Sequence, residues 1–260
     1  MERIIVRVPI LSPEDTDLTY LAVEMLNKPG VLAGILTALA RLGVNVLEGV
    51  HSRGEKEDRG YWLALIQPPK GLSLREIVET VERVDGVLRA VAGARRFGEI
   101  MIPPVELVWE IVPGMPVSIW RHVFLSTIYE GLTQAMGPTA QAVFYHQGRE
   151  AGKRIYDYWR ETMKTQDPRV LLEGAFHILQ RLGWFTHAEM RELDPEEGRI
   201  VLAVKNSVEA YGRRTGKPVC YLLSGLFSGY ASRALGRNVR MVEIRCQAAG
   251  DPYCLFTTHP

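Results

Sequence analysis

Between Tyr20 and Val91 the hydrophobic period passes from two to helical and back in a set order, and that order leaves few folds open. Tyr20–Leu26 reads as a strand closed by Asn27-Lys28-Pro29-Gly30. Val31, Leu32, Ile35, Leu36, Leu39 and Leu42 then recur at helical spacing as one apolar stripe, which Gly43 ends because it tolerates positive φ. Val44–Val50 and Tyr61–Ile66 read as strands joined by the charged hairpin region Arg53–Gly60. Leu74, Ile77, Val78, Val81 and Val84 make a second stripe after a Ser73 cap, and Val87–Val91 supplies the last strand. Strand–helix–strand–strand–helix–strand over about 75 residues is a split βαβ unit with helices on one sheet face. A further strand at Ile4–Val8 is expected to extend the sheet.

This order, with Asn27-Lys28-Pro29-Gly30-Val31-Leu32 at the first strand–helix turn, resembles an ACT domain. The resemblance implies a ferredoxin-like βαββαβ fold and an amino-acid effector site, built where two such sheets pair, at Asn27, Pro29, Gly30, Val31 and Leu32. The residue chemistry agrees. Pro29 stops the strand, Gly30 lets the backbone turn sharply, and free N–H groups of the new helix can hold a carboxylate. Asn27 stands where the family often has an acidic residue, and Pro-Gly by itself also reads as a tight connection.

Gly93–Pro116 reads as a seam, because Arg95, Arg96, Pro103, Pro104, Pro113 and Pro116 interrupt the period, with Val105–Val112 a short strand. The expected division is 1–98, a linker at 99–116, and a second domain at 117–260. In that domain Trp120–Ala135, Gln141–Arg160 and Asp167–Gly183 read as helices, then Trp184–Leu193 and Arg199–Val204 as strands. Pro218–Leu235 reads as another helix, and Val239–Cys246 with Tyr253–Thr258 as a terminal hairpin, so the overall class is α+β. Gly225 and Gly229, one turn apart, suit close packing of a second helix or a ligand.

All three cysteines lie in the last 41 of 260 residues, which suits a local metal or redox site better than a secreted disulfide framework. A hairpin turning at Gly250-Asp251-Pro252 sets Cys246 opposite Cys254, with Cβ atoms roughly 4.5–5.5 Å apart. Cys220 follows Pro218 at a helix start, where exposed amides favour a thiolate. Three thiolates with Glu243 fill a tetrahedron that zinc accepts. A Cys246–Cys254 disulfide, free buried thiols and a solvated Glu243 remain open alternatives.

Cys220, Glu243-x-x-Cys246 and Ala-Gly-Asp-Pro-Tyr-Cys254-Leu-Phe resemble the 4-vinyl reductase domain family, which is similar to the sensory part of aromatic-responsive transcriptional activators. The resemblance implies a structural zinc site at Cys220, Glu243, Cys246 and Cys254, closed to water, with Arg245 or His259 offsetting its negative charge. It also implies a hydrophobic ligand between helices and sheet, for which Phe144, Trp159, Phe176, His177, Trp184 and Tyr211 are the candidate lining. His177 and Trp184 are the pair able to orient a polar ligand head. Aromatics at helical spacing equally read as core.

Hydrophobic residues at 47% and charged residues at 23% describe a folded globular chain, and a net charge of +1 gives no field for nucleic acid or anionic membrane. Apolar runs such as Val219–Phe227 are too short to span a bilayer, and no signal-peptide pattern opens the chain, so the cytoplasm is expected. No Gly-x-Gly-x-x-Gly turn, phosphate loop or nucleophile elbow is present. The expectation is a homodimeric small-molecule sensor rather than an enzyme. It would bind an amino acid and an apolar or aromatic compound, and signal through a protein partner. A tetrapyrrole-related reductase and an assembly scaffold are the alternatives.

Overall fold

A computed structural model describes residues 12–13, 17–54, 56–98, 100–110, 114–119 and 122–258. The chain divides into two units, Met1–Ser118 and Ile119–Pro260. The strand expected at Ile4–Val8 lies outside the described residues.

The first unit holds β1 (Ser12–Pro13), β2 (Thr19–Leu26), α1 (Val31–Arg41), β3 (Asn45–Arg53), β4 (Arg59–Gln67), α2 (Leu74–Glu82) and β5 (Val87–Gly93). Two short strands follow, β6 (Arg95–Phe97) and β7 (Ile100–Ile102). The main sheet is antiparallel in the order β3-β4-β2-β5, the ferredoxin-like arrangement that the hydrophobic periods predict. Alternation along β2 divides its side chains between two cores. Leu21, Val23 and Met25 pack with Ile35, Leu39, Ile77 and Val81 of the helices. Tyr20 faces the other way, onto Leu63, Leu65 and Met101. The α2 start is capped as its sequence indicates, with Ser73 Oγ accepting from Glu76 N–H at 3.1 Å.

The seam needs correction. Ile100–Ile102, expected within a linker, is strand β7, paired with β6 and β1 in a three-stranded sheet. Fully buried Met101 is the reason, since it covers the outer face of β2 and β4 and accepts at its carbonyl from Tyr20 Oη. Val105–Val112, expected as a strand, has none over 105–109; Glu110 makes one isolated bridge to Pro116, and 111–113 lie outside the described residues. Prolines at 103 and 104 remove the donors a ladder needs.

The second unit comprises α3 (His122–Met136), α4 (Pro138–Met163), α5 (Pro168–Arg181), β8 (His187–Asp194), β9 (Arg199–Lys205), α6 (Tyr221–Ala234), β10 (Val242–Arg245) and β11 (Cys254–Thr257). Asp167 caps α5, accepting from Arg169 N–H at 2.8 Å. The antiparallel sheet runs β10-β11-β9-β8. Every residue from Leu223 to Ala231 is buried, so α6 is a central helix, apolar all round because no side meets water. Phe227 sits at its middle, edge-on to Phe176 of α5 and Phe256 of β11.

Glycines fix the crossing of α6 over α4. A Cβ at Gly148 or Gly152 would run into the backbone of Leu222 or Leu226, and one at Gly225 or Gly229 into that of Tyr145 or Arg149. The two backbones are therefore in direct contact, with no flexible side chain between them to yield. Gly225→Ala should destabilise the protein by about 3 kcal/mol or more, the upper range for overpacking. A denaturation midpoint unchanged from the parent would contradict this packing.

Candidate metal centre

Three backbone features bring the cysteines together. Pro218 stops α6 from extending upstream, so Cys220 becomes its N-cap, with no side-chain cap of its own. β10 and β11 then pair with Glu243 opposite Phe256 and Arg245 opposite Leu255, an irregular register in which β10 carries one extra residue. Glu243 and Cys246 are three apart and would face opposite sides of a regular strand; the bulge puts both on the inner side. The connection is longer than the tight turn expected at Gly250-Asp251-Pro252. It is a 3-10 helix, Gln247–Ala249, closed by Gly250 at φ 110°. Asp251 fastens it, its Oδ2 accepting from Cys246 N–H at 2.8 Å.

The result is a tight group. Cys220 Sγ lies 3.8 Å from Cys254 Sγ, which lies 3.9 Å from Cys246 Sγ, and a carboxylate oxygen of Glu243 completes a set within 4.8 Å of one another. All three thiols are free and buried. A tetrahedron with metal–sulfur bonds of about 2.3 Å has sulfurs about 3.8 Å apart, so the cluster already has zinc-site dimensions. Glu243 supplies the sharper indication. Its Oε2 accepts from Val219 N–H at 3.1 Å and from Cys220 N–H at 2.9 Å, whereas its Oε1 is buried with no hydrogen-bond partner. An orphaned carboxylate oxygen beside three thiols is an acceptor waiting for a cation. The cluster can hold a metal ion.

Electrostatics point the same way. Burial, followed by the charge of Cys246, pushes the Glu243 carboxyl up to about 8. Burial likewise raises the Cys220 thiol. Cys246, hydrogen-bonded first by Cys220 and then by Cys254, is held down at about 2, a thiolate shared among its neighbours. Negative charge here is met by amides. Gln247 N–H reaches Cys254 Sγ at 3.4 Å, and the α6 N-terminus faces Cys220. Arg245, expected to offset the charge, instead donates to Tyr253 Oη at 3.1 Å on the exposed side; His259 lies outside the described residues.

One essential residue was missed. Glu209, only 1% exposed, accepts from Leu222 N–H at 2.9 Å and Leu223 N–H at 2.8 Å, capping α6 from a distant loop. Burial pushes its carboxyl up to about 8 against the pull of those two amides. Its sole signal in the sequence is a lone acid between Val208 and Ala210.

The six candidate pocket residues do not share one cavity. Trp159 and Phe176 belong to the main core, with Trp184 half-buried against it. Phe144 packs in a separate cluster with Tyr129 and Ala140. His177 is exposed on α5, away from any pairing with Trp184, and Tyr211 is exposed, edge-on to His122. Helical spacing marked their burial without saying what each one touches. At the β2–α1 turn, Asn27 to Gly30 are exposed, with Gly30 at φ 91°. Asn27 Nδ2 donates to the Glu57 carbonyl at 3.3 Å, Val31 is buried, and Leu32 packs half-buried against the core.

The chain is thus a two-unit α+β protein whose C-terminal unit carries a buried Cys3Glu cluster capable of holding a metal. The family model of the 4-vinyl reductase domain matches residues 200–260, a span that includes all the cluster residues but Cys220's neighbours upstream of 200. Two curated relatives come from Methanocaldococcus jannaschii. Uncharacterized protein MJ0150 is 24% identical over 157 residues, covering 59% of this chain and 79% of that one. Uncharacterized protein MJ0855 is 34% identical over 149 residues, 54% of this chain and 53% of the relative, so the chain spans about half of its length. Among solved structures, the phenol-responsive sensory domain of the transcription activator PoxR with phenol aligns at 15% identity and TM-score 0.49, over 88% of this chain and 90% of that one. The ACT domain from the GTP pyrophosphokinase of Chlorobium tepidum aligns at 16% identity and TM-score 0.25, over 29% and 95%.

Two outcomes are expected. Glu209→Ala should cost about 1–3 kcal/mol in chemical denaturation, because two buried amides lose their acceptor; no loss would contradict the cap. Metal uptake at pH 7 should release about two or more protons, since Cys220 and Glu243 hold theirs until a cation displaces them. Apparent affinity should therefore fall as pH falls. Calorimetry in buffers of different ionisation enthalpy measures this, and zero proton release would contradict the protonation state described.

Proposed function

We propose that the chain is a small-molecule-responsive regulatory protein whose C-terminal unit is clamped by one structural Zn²⁺. Cys220, Glu243, Cys246 and Cys254 would hold it. The observation that carries this reading is the orphaned Glu243 Oε1 facing three buried thiols spaced for tetrahedral coordination. Three soft donors and one hard one favour zinc over magnesium or calcium. When bound, the ion supplies a cross-link between α6 and the terminal hairpin and keeps the thiols deprotonated. Four protein donors occupy all positions of a tetrahedral ion, so the role is structural rather than hydrolytic.

In this reading 117–260 is the ligand-responsive domain, 1–98 an ACT-type domain, and 99–116 joins them. The match to the 4-vinyl reductase domain supports the first assignment. The ferredoxin-like strand order supports the second, together with an α1 N-terminus that no side chain caps, where an amino-acid carboxylate would sit over Asn27, Pro29 and Gly30. An apolar or aromatic compound would be the other ligand, taken up among the aromatic side chains of the second unit. Exposed Phe124, Ile128 and Leu132, at helical spacing on α3, suit a homodimer contact or a protein partner for output. No helix among the described residues is long and apolar enough to cross a membrane. Neither membrane nor nucleic acid is a proposed partner, and the proposed compartment is the cytoplasm.

Elemental analysis of the purified chain should find about one zinc per molecule, and Cys254→Ser should lose it with a lowered melting temperature, because structural zinc contributes folding energy. Less than half an equivalent in the parent, with an unshifted melting temperature in the variant, would remove the metal reading. Calorimetric titration with amino acids and small aromatics tests the sensing role, and no heat from any of them would count against it.

A further inference from the structure

Beside the start of α6 lies a cavity of about 70 Å³, bounded by α3 and α4 on one side and the 213–221 segment on the other. Its lining combines two cations, Arg213 and Lys217, with the hydroxyl-bearing Tyr129 and Tyr221 and the apolar Phe144 and Val219. The α6 amides are not its donors, because Glu209 and Glu243 already occupy them.

Arg213 is the unusual member. Its side chain is 8% exposed, and Nη1 is spent on the carbonyl of Glu209 at 3.1 Å. Nε is buried and makes no hydrogen bond. Glu130 Oε1 lies 3.4 Å from it as an ion pair, but that carboxylate is half-exposed and poorly aligned. A buried guanidinium N–H without an acceptor is rare and calls for an explanation. The edge bearing Nε is the one left to form a two-pronged contact with a carboxylate, the geometry in which arginine binds best.

We propose that this cavity is a binding site for a small carboxylate, whose head group takes the Arg213 edge with Lys217 as second cation and whose short tail lies against Phe144 and Val219. A water molecule's share of volume is about 30 Å³, so the space suits an acid the size of acetate or propionate. Glu130 is the resident counter-ion that the ligand displaces. Val219 and Tyr221 line the cavity on either side of Cys220, so occupancy would be felt directly at the metal cluster. The inference deepens the small-molecule reading and can fail alone: a chain that holds zinc and binds aromatics yet ignores acetate loses only this site.

The test is titration of the full chain with sodium acetate and sodium propionate at constant ionic strength, followed by the Arg213 Nε–H NMR signal, with sodium phosphate for comparison. Lys217 and Glu130 are both exposed, so Lys217→Gln and Glu130→Gln should leave folding intact. Saturable carboxylate binding is expected, weakened at least about fivefold by Lys217→Gln and tightened by Glu130→Gln, since screened and partly buried charges contribute on that scale. Three results would overturn the proposal: no saturable shift in the parent, affinities within twofold of the parent in both variants, or phosphate binding as tightly as acetate.

Discussion

The start of α6 is the point on which the second unit depends. A helix that enters a dry core at its first turn leaves amide groups that water cannot reach, and each must find an acceptor inside the protein. Here two carboxylates do so: Glu243 takes Val219 and Cys220, and Glu209 takes Leu222 and Leu223. Burying two acids this deeply is itself unfavourable, and both carboxyls are pushed up to about 8 by desolvation. A cation on the unpaired oxygen of Glu243 would reverse that cost at one of them and tie three thiols to the same point. Helix capping and metal coordination thus share one side chain.

The rest of the unit holds that point still. α6 is pressed backbone to backbone against α4 through Gly148, Gly152, Gly225 and Gly229, which limits sliding of the helix and so fixes Cys220. On the other side, β11 pairs with β9 from Cys254 to Thr257, while the β10 bulge turns Glu243 and Cys246 inward together. Each donor is therefore set by a different element, and the ion would join elements far apart in sequence. That is the arrangement in which a metal contributes most to folding, because it closes long loops.

Much of the fold is legible in the sequence because its elements are long and periodic. The stripes Val31–Leu42 and Leu74–Val84 and the caps Ser73 and Asp167 announce α1, α2 and α5 through elementary helix chemistry. The cluster residues are legible from cysteine spacing once Cys246 and Cys254 are folded across a hairpin. What stayed hidden depends on contacts between segments. β6 and β7, three residues each, are too short to show a period, and Met101 reveals its role only against Tyr20 and Leu65. Glu209 reads as an ordinary acid until α6 is placed over it. Phe176 and His177 are neighbours on one helix, yet one is core and the other exposed, so aromatic content alone could not mark a pocket. The glycines of α6 were visible, whereas their partners Gly148 and Gly152 in α4 passed unremarked.

The most direct test of the metal clamp is X-ray absorption at the zinc edge of the purified full chain. The account predicts a four-coordinate ion with three sulfur neighbours at about 2.3 Å and one oxygen at about 2.0–2.2 Å. A spectrum with a water-filled or nitrogen-rich shell, or with fewer than three sulfurs, would contradict it.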